Sequence, residues 1–249
     1  MSIRIVGLHK AFGTKRVLEG VDLEVAEGDT VSVMGPSGVG KSVLLKHIVG
    51  LLQPDSGEVF VDGERVADLD AEQLRDLRRR VGYVFQFAAL FDSLTVEENI
   101  GLGLKRMPEW DAKRIRVRVE ECLSLVDLEG YGRRTPAELS GGQRKRAGLA
   151  RAIATKPRYL LYDEPTTGLD PVTTTVIDRL VMRMRDELGV TSLVITHDLD
   201  SAFRISDRVA MLYEGKIRFI GTPDEVKAAT DPVVRGFVAG LPELIEGAE

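Results

Sequence analysis

Between residues 35 and 42 the chain reads Gly35-Pro36-Ser37-Gly38-Val39-Gly40-Lys41-Ser42. The run before it, Thr30 to Met34, is short, apolar and rich in Val, which predicts a buried strand. The run after it, Ser42 to Val49, predicts a helix. A strand that becomes a helix over so short a stretch needs glycine, because the backbone must enter conformations closed to other residues. The same bend points successive N–H groups inward, and the following helix adds positive potential at its N-terminus. The spacing Gly-x4-Gly-Lys-Ser therefore predicts a phosphate cradle. Lys41 is placed to reach the terminal phosphates of a nucleotide, and the Ser42 hydroxyl to bind Mg²⁺.

Other parts of the chain limit what surrounds such a cradle. The 249 residues suffice for one large domain or two small ones. The net charge of −5, from 34 basic and 39 acidic residues, is mild and favours solubility; it does not suggest a nucleic-acid binder, though it leaves room for a local basic patch. The basic cluster Arg75, Arg78, Arg79 and Arg80 is diluted by Asp68, Asp70, Glu72 and Asp76, so it predicts a solvated helix face. Cys122 is the only cysteine, which excludes an intramolecular disulfide and fits a reducing compartment. Its place in an apolar helical pattern predicts a small core residue. The N-terminus lacks the apolar stretch of a signal peptide, and no run reaches the roughly 18 apolar residues of a membrane span. Work at a membrane would need a partner to hold the chain there.

The predicted elements form an α/β core interrupted by a helical insertion from about 87 to 157. Ile3 to Gly7, Val17 to Val25 and Glu58 to Val61 read as strands of an antiparallel patch, with a hairpin signal at Asp62-Gly63. Leu69 to Arg80 reads as a helix, and Val81 to Gln86 as a buried strand. From Ser93 to Lys156 the pattern is helical, with Asp111 as an N-cap and Trp110 as a packing anchor. Tyr159 to Tyr162 and Ser192 to Thr196 are apolar runs of parallel-sheet type, joined by a helix from Val172 to Leu188. Val209 to Leu212 and Lys216 to Phe219 predict a hairpin around Glu214-Gly215.

Three further groups of residues carry chemistry. Asp163 and Glu164 close the apolar run from Tyr159, and acids at the C-terminal end of such a strand face the ligand crevice. Asp163 suits Mg²⁺, and Glu164 is placed to orient or deprotonate a water; a helix-capping pair is the plainer alternative. Leu139-Ser140-Gly141-Gly142-Gln143 opens the next helix with Ser140 as its N-cap, either as a second anion cradle or simply as a glycine-rich helix start. One nucleotide needs one cradle, so two of them imply a site shared between two chains. His197 ends its strand and can be structural or can face a terminal phosphate. His9 and His47 have no comparable context.

In this order, these elements resemble the ATPase subunit of ABC transporters over nearly the whole chain. The phosphate loop is Gly35 to Ser42, the Q-loop glutamine Gln86, and the signature motif Leu139 to Gln143. Walker B runs from Tyr159 to Glu164, the D-loop is Gly168-Leu169-Asp170, the switch histidine is His197, and Phe12 matches the aromatic that stacks on adenine. The resemblance implies a P-loop NTPase (RecA-like) core with an antiparallel β subdomain and a helical insertion subdomain. In one nucleotide-binding domain, residues 1–86 and 158–225 would form the ATP-binding core, 87–157 the helical subdomain and 226–249 a C-terminal tail. It implies a head-to-tail homodimer with ATP between the phosphate loop of one copy and Ser140, Gly141, Gly142 and Gln143 of the other. Glu164 would act as general base, Lys41 would stabilise phosphate charge, and Ser42, Gln86 and Asp163 would arrange Mg²⁺ and water. The segment Phe85 to Val96 and the tail Asp231 to Phe237 are further similar to MlaF-type ATPases, which work with an MlaE-like permease and MCE-domain proteins on phospholipid. There the tail contributes to dimer contacts. The resemblance would make this a cassette without the extra regulatory domain of many sugar-importer ATPases. Phe87 to Phe91 would either receive a permease helix or pack the helical insertion. Amino-acid and lipoprotein transporters share much of this pattern, and soluble ABC ATPases of ribosomes or nucleic acid are the rival class. The implied location is the cytoplasmic face of the inner membrane.

Overall fold

The computed structural model describes residues 2–246, with side chains through 245. Contacts divide the chain into two compact units, one from the residues up to 77 and from 191 onward, the other from residues 78–190. In chain order the first stretch contains β1 (Ser2–Phe12), β2 (Lys15–Ala26), β3 (Thr30–Met34), α1 (Lys41–Ile48), β4 (Ser56–Val61), β5 (Glu64–Arg65) and α2 (Ala71–Arg80). The second unit continues with β6 (Val81–Val84), α3 (Val96–Gly101), α4 (Ala112–Leu125), α5 (Gly141–Ile153), β7 (Tyr159–Asp163) and α6 (Pro171–Leu188). The chain then returns to the first unit with β8 (Thr191–Ile195), α7 (Leu199–Ile205), β9 (Arg208–Tyr213), β10 (Lys216–Gly221), α8 (Pro223–Lys227), α9 (Pro232–Ala239) and α10 (Pro242–Glu246).

In the first unit β3 is buried along its whole length, as is β8. Strands covered on both faces are apolar throughout and pair in parallel. β3 pairs with β8 from Thr30↔Ser192 to Val33↔Ile195, and with β9 from Val31↔Arg208 to Met34↔Met211. β10 returns antiparallel along β9. Its turn, Glu214-Gly215, has φ of 47° and 73°, the pair of positive values that a tight hairpin requires. A separate antiparallel sheet runs β2-β1-β4-β5, and Asp62-Gly63 makes its second hairpin as the dipeptide predicts. β1 runs to Phe12, beyond the predicted Gly7, because Gly7 absorbs a bulge at φ 52° and pairing with β2 resumes after it. The tail helices close over this unit: Val226, Val233 and Val234 share a core cluster with Met34, Val209 and Met211.

In the second unit β6 and β7 pair in parallel from Val81↔Tyr159 to Val84↔Tyr162. β6 stops at Val84, so Phe85 and Gln86 leave the strand two residues before the expected end. The stretch expected to be helical from Ser93 to Lys156 resolves into α3, α4 and α5 with turns between them. Asp111 caps α4 by accepting from Arg114 N at 2.8 Å. Cys122 is fully buried, and burial pushes its thiol up to about 11. Trp110 is half-buried and lines a surface groove with Lys113 and Val117. No helix among the described residues is long and apolar enough to cross a membrane.

Two consequences for stability follow. At Gly57 (φ 84°) an added Cβ would fall on the carbonyl oxygen of Gly7. Gly57→Ala is expected to cost about 2 kcal/mol or more from backbone strain alone, read as a shift of the urea midpoint. His47 is buried on α1, and burial holds its pKa below 6.5 despite the bond between Nδ1 and Val43 O at 2.8 Å. The unfolded chain therefore binds this proton more readily than the folded one, and stability is lost as pH falls below 6.5. His47→Gln is expected to reduce that loss, seen by comparing urea midpoints of the two chains at neutral and at acidic pH.

Candidate functional site

In the first unit the phosphate loop leaves β3 at Gly35, whose φ is 149°. Gly40 (φ 111°) caps α1, and a Cβ there would lie 2.7 Å from Val17 Cγ1. Lys41 is buried and turned back into the loop, where its ammonium donates to Gly35 O at 2.7 Å and Pro36 O at 2.9 Å. A positive charge thus sits at the mouth of a helix N-terminus, and Ser37 and Gly38 remain exposed beside it. Pro36 and Val39 are half-buried in the loop, and so is Ser42 in the first turn of α1. Beside the loop lies a cavity of about 670 Å³ lined by Val17, Gly38, Val39, Tyr213, Gly215 and Arg218. The end of β8 reaches the same sheet edge, for Thr196 N donates to Val33 O at 3.2 Å, and the exposed His197 follows it. Phe12 closes β1 with half its surface exposed and the Lys10 ammonium 5.7 Å from its ring.

In the second unit the structure brings Gln86, Asp163 and Glu164 together. Gln86 Nε2 donates to Glu164 Oε2 at 3.4 Å, and Thr167 Oγ1 donates to the same oxygen at 2.8 Å. Tyr83 OH donates to Asp163 Oδ2 at 3.0 Å, and burial beside that carboxylate raises the Tyr83 pKa, keeping the phenol a donor. Glu164 adopts φ 49°, a left-handed backbone that costs a non-glycine residue about 1–2 kcal/mol. Strain of this kind persists only where the surroundings over-determine it. Lys145, on α5, donates to Gln86 O at 2.6 Å and Glu164 O at 3.3 Å. Tyr83, Thr167 and Lys145 were not legible in the sequence, because each acts across a fold-dependent distance and belongs to no local pattern.

The segment Ser140 to Gln143 opens α5 with a reciprocal cap. Gln143 N donates to Ser140 Oγ at 3.3 Å, and Ser140 N donates to Gln143 Oε1 at 2.8 Å. Gln143 Nε2 also reaches Tyr131 OH at 3.2 Å. At Gly142 an added Cβ would lie 2.5 Å from Thr173 Cγ2, so Thr173 would have to shift. Ser140 and Gly141 are exposed at the tip.

These residues fit a magnesium nucleotide. The loop offers phosphate the Lys41 ammonium and the N-terminus of α1. No group of three or more His, Cys, Asp or Glu among the described residues forms a metal cage of its own. Mg²⁺ suits such a donor set, since it takes one or two carboxylates, with waters and substrate phosphates completing its shell.

The chain matches the family described as ABC transporter over residues 18–167. It is 46% identical over 242 residues to the sulfate/thiosulfate import ATP-binding protein CysA of Caulobacter vibrioides, covering 96% of this chain and 70% of that one. It is 42% identical over 250 residues to protein TRIGALACTOSYLDIACYLGLYCEROL 3, chloroplastic, of Arabidopsis thaliana, covering 94% of this chain and 72% of that one. Among solved structures it superposes on the ATP-binding cassette MJ0796, a dimer in a post-hydrolysis state bound to ADP and Pi. The TM-score is 0.81 at 35% identity, over 89% of this chain and 98% of that chain.

The cap at Ser140 can be separated from any phosphate role. Ser140→Ala should lower stability by about 1 kcal/mol, and Ser140→Asp, which still caps, should lower it by much less. Urea unfolding of the two variants beside the unmodified chain checks this, and equal losses would contradict the cap.

Proposed function

The chain belongs to the ABC transporter family and is an ATPase coupled to transport, and on that premise we propose that it powers phospholipid movement through an MlaE-like permease with MCE-domain partners. The observation that carries the lipid assignment is the segment Phe85 to Val96, which follows the MlaF-type pattern around Gln86. It is supported by the Arabidopsis relative, whose name is that of a glycolipid. Phe87 and Phe91 are exposed in that segment, while Asn99 fixes Phe91 by accepting from its N–H at 2.8 Å and donating to its carbonyl at 3.1 Å. An exposed aromatic pair on a fixed backbone suits a docked permease helix. Sulfate or thiosulfate import is the second reading, favoured by the 46% identity to the Caulobacter protein.

In the proposed mechanism two copies pack head to tail; a dimeric state is supported by the dimeric MJ0796 structure. The phosphate loop Gly35 to Ser42 holds the phosphates of ATP, with Lys41 leaving its two carbonyls for the β- and γ-phosphate oxygens. Phe12 stacks on the adenine. Ser42, Gln86 and Asp163 would hold Mg²⁺, which supplies charge neutralisation at the β- and γ-phosphates. Ser140, Gly141, Gly142 and Gln143 of the second copy close over the γ-phosphate. Glu164 takes a proton from water as the water oxygen bonds to the γ-phosphorus. The bond to the β,γ-bridging oxygen breaks, leaving ADP and inorganic phosphate, and His197 contacts the departing phosphate. ATP binds the closed dimer preferentially and product release reopens it, and this cycle drives the permease. Residues 1–86 and 158–225 serve as ATP-binding core, 87–157 as the helical subdomain that meets the permease, and 226–249 as a tail toward the dimer partner. The working location is the cytoplasmic face of the inner membrane.

Glu164→Gln keeps the shape of the side chain and removes the base. It should retain ATP binding, accumulate a closed dimer on size-exclusion chromatography with Mg-ATP, and lose turnover by about 10²–10⁴-fold; normal turnover would contradict the assignment. The cargo is tested by affinity capture of the tagged chain from native membranes with mass spectrometry of proteins and lipids. An MlaE-like permease, an MCE protein and phospholipid support the first reading. A sulfate permease supports the second, and ribosomes or nucleic acid without a membrane protein would overturn both.

A further inference from the structure

α5 does more than present Ser140 and Gly141 at its tip. Lys145, Gly148 and Arg151, spaced three apart, lie on one face of it and hold the loop after β6 by its main chain. Lys145 takes the carbonyl of Gln86 at 2.6 Å. Gly148 makes room for Ala88, because a Cβ there would stand 3.0 Å from Ala88 Cβ. Arg151 donates to Ala89 O at 2.5 Å and Ala88 O at 2.8 Å. The loop needs this grip. Ala88 and Ala89 are consecutive left-handed residues, at φ 59° and 50°, and each costs about 1–2 kcal/mol.

Lys145 is the member of this set that touches both sides of the chemistry. Its ammonium is buried, which lowers its pKa against the opposing pull of the Glu164 charge. A buried ammonium is retained only where acceptors repay its desolvation. Here the acceptors are the carbonyls of Gln86 and Glu164, the two residues whose side chains meet at 3.4 Å. One rigid helix thus carries at its N-terminus the segment that engages a nucleotide and, about one turn later, the cation that spaces Gln86 from Glu164. We propose that Lys145 is a positioning residue through which α5 sets Gln86 and Glu164 for the attack of water on ATP. The inference rests on the ATPase reading. It adds that the seating of α5 on the partner's nucleotide is felt at the chain's own carboxylate, so the two sites of a dimer are coupled through this ammonium.

The test uses the full chain with its captured permease and compares Lys145→Met, Lys145→Arg and Lys41→Ala with the unmodified chain. ATP affinity, KM, kcat, the Hill coefficient and the thermal midpoint are measured on each. Lys145→Met should keep KM within about twofold while kcat falls by about tenfold to a hundredfold, as expected for a reacting group displaced by about 1 Å. The Hill coefficient should fall toward one, and Lys145→Arg should restore most of kcat. Unchanged kcat in Lys145→Met, or KM and kcat worsened by one common factor, would overturn the proposal, and so would an unchanged Hill coefficient. If Lys145→Met does not fold, Lys145→Gln, which keeps one donor, should show the same split in smaller measure, and an unaltered kcat there would overturn it. Turnover in the unmodified chain with loss in Lys41→Ala upholds the ATPase reading whatever Lys145 does. Absence of turnover in the unmodified chain would overturn the ATPase reading and this inference together.

Discussion

Gly35 leaves β3 at φ 149° with the carbonyl of Leu212 where a side chain would begin. No residue with a Cβ can make that departure, and the path of the next seven residues follows from it. The loop curls through Gly38 and Gly40 at φ 78° and 111°, and α1 starts with its positive end on the loop. The walls come from elsewhere in the first unit: β9 supplies Leu212, and β2 supplies Val17 against Gly40. An anion site made of backbone needs such walls, because N–H groups preorganised toward a charge stabilise it only while they cannot turn away. Lys41 completes the arrangement by resting its ammonium on the loop's own carbonyls, a charge already desolvated before any phosphate arrives.

The second unit solves a different problem, that of fixing two carboxylates and an amide in place. Each is tied by a neutral or cationic donor: Tyr83 to Asp163, Thr167 to Glu164, and Lys145 to the main chain of both Gln86 and Glu164. The left-handed backbone of Glu164, Ala88 and Ala89 marks where the fold spends stability on geometry. Asp127 and Lys156 in the same unit share this backbone region, at φ 54° and 56°, while α3 and α4 are regular helices with caps at Thr95 and Asp111.

The sequence was most legible where one residue type alone could do the job at fixed spacing. Gly35, Gly38, Gly40, Lys41 and Ser42 announce an anion loop, and Ser140 with Gln143 announces a capped helix, because both patterns are local. The parallel strands β3, β7 and β8 were visible as unbroken apolar runs, and both tight hairpins as Asp-Gly and Glu-Gly. The end of β6 at Val84 was not, since Phe85 and Gln86 have strand-like residues before them and nothing local to stop the run. Lys145 was hidden for another reason: its partner carbonyl lies 59 residues away, and a lysine in a helix gives no sign of pointing inward.

The central claim is that the site is composite, with the phosphate loop of one copy completed by the Ser140 segment of the other. Mixing two disabled chains tests this most directly. Lys41→Ala removes the ammonium from the loop, and Ser140→Arg blocks the tip of α5. Each chain alone should be inactive. A head-to-tail dimer of one with the other contains one site with both defects and one with neither, so the mixture should regain Mg-ATP hydrolysis. A mixture as inactive as its components would contradict the shared site.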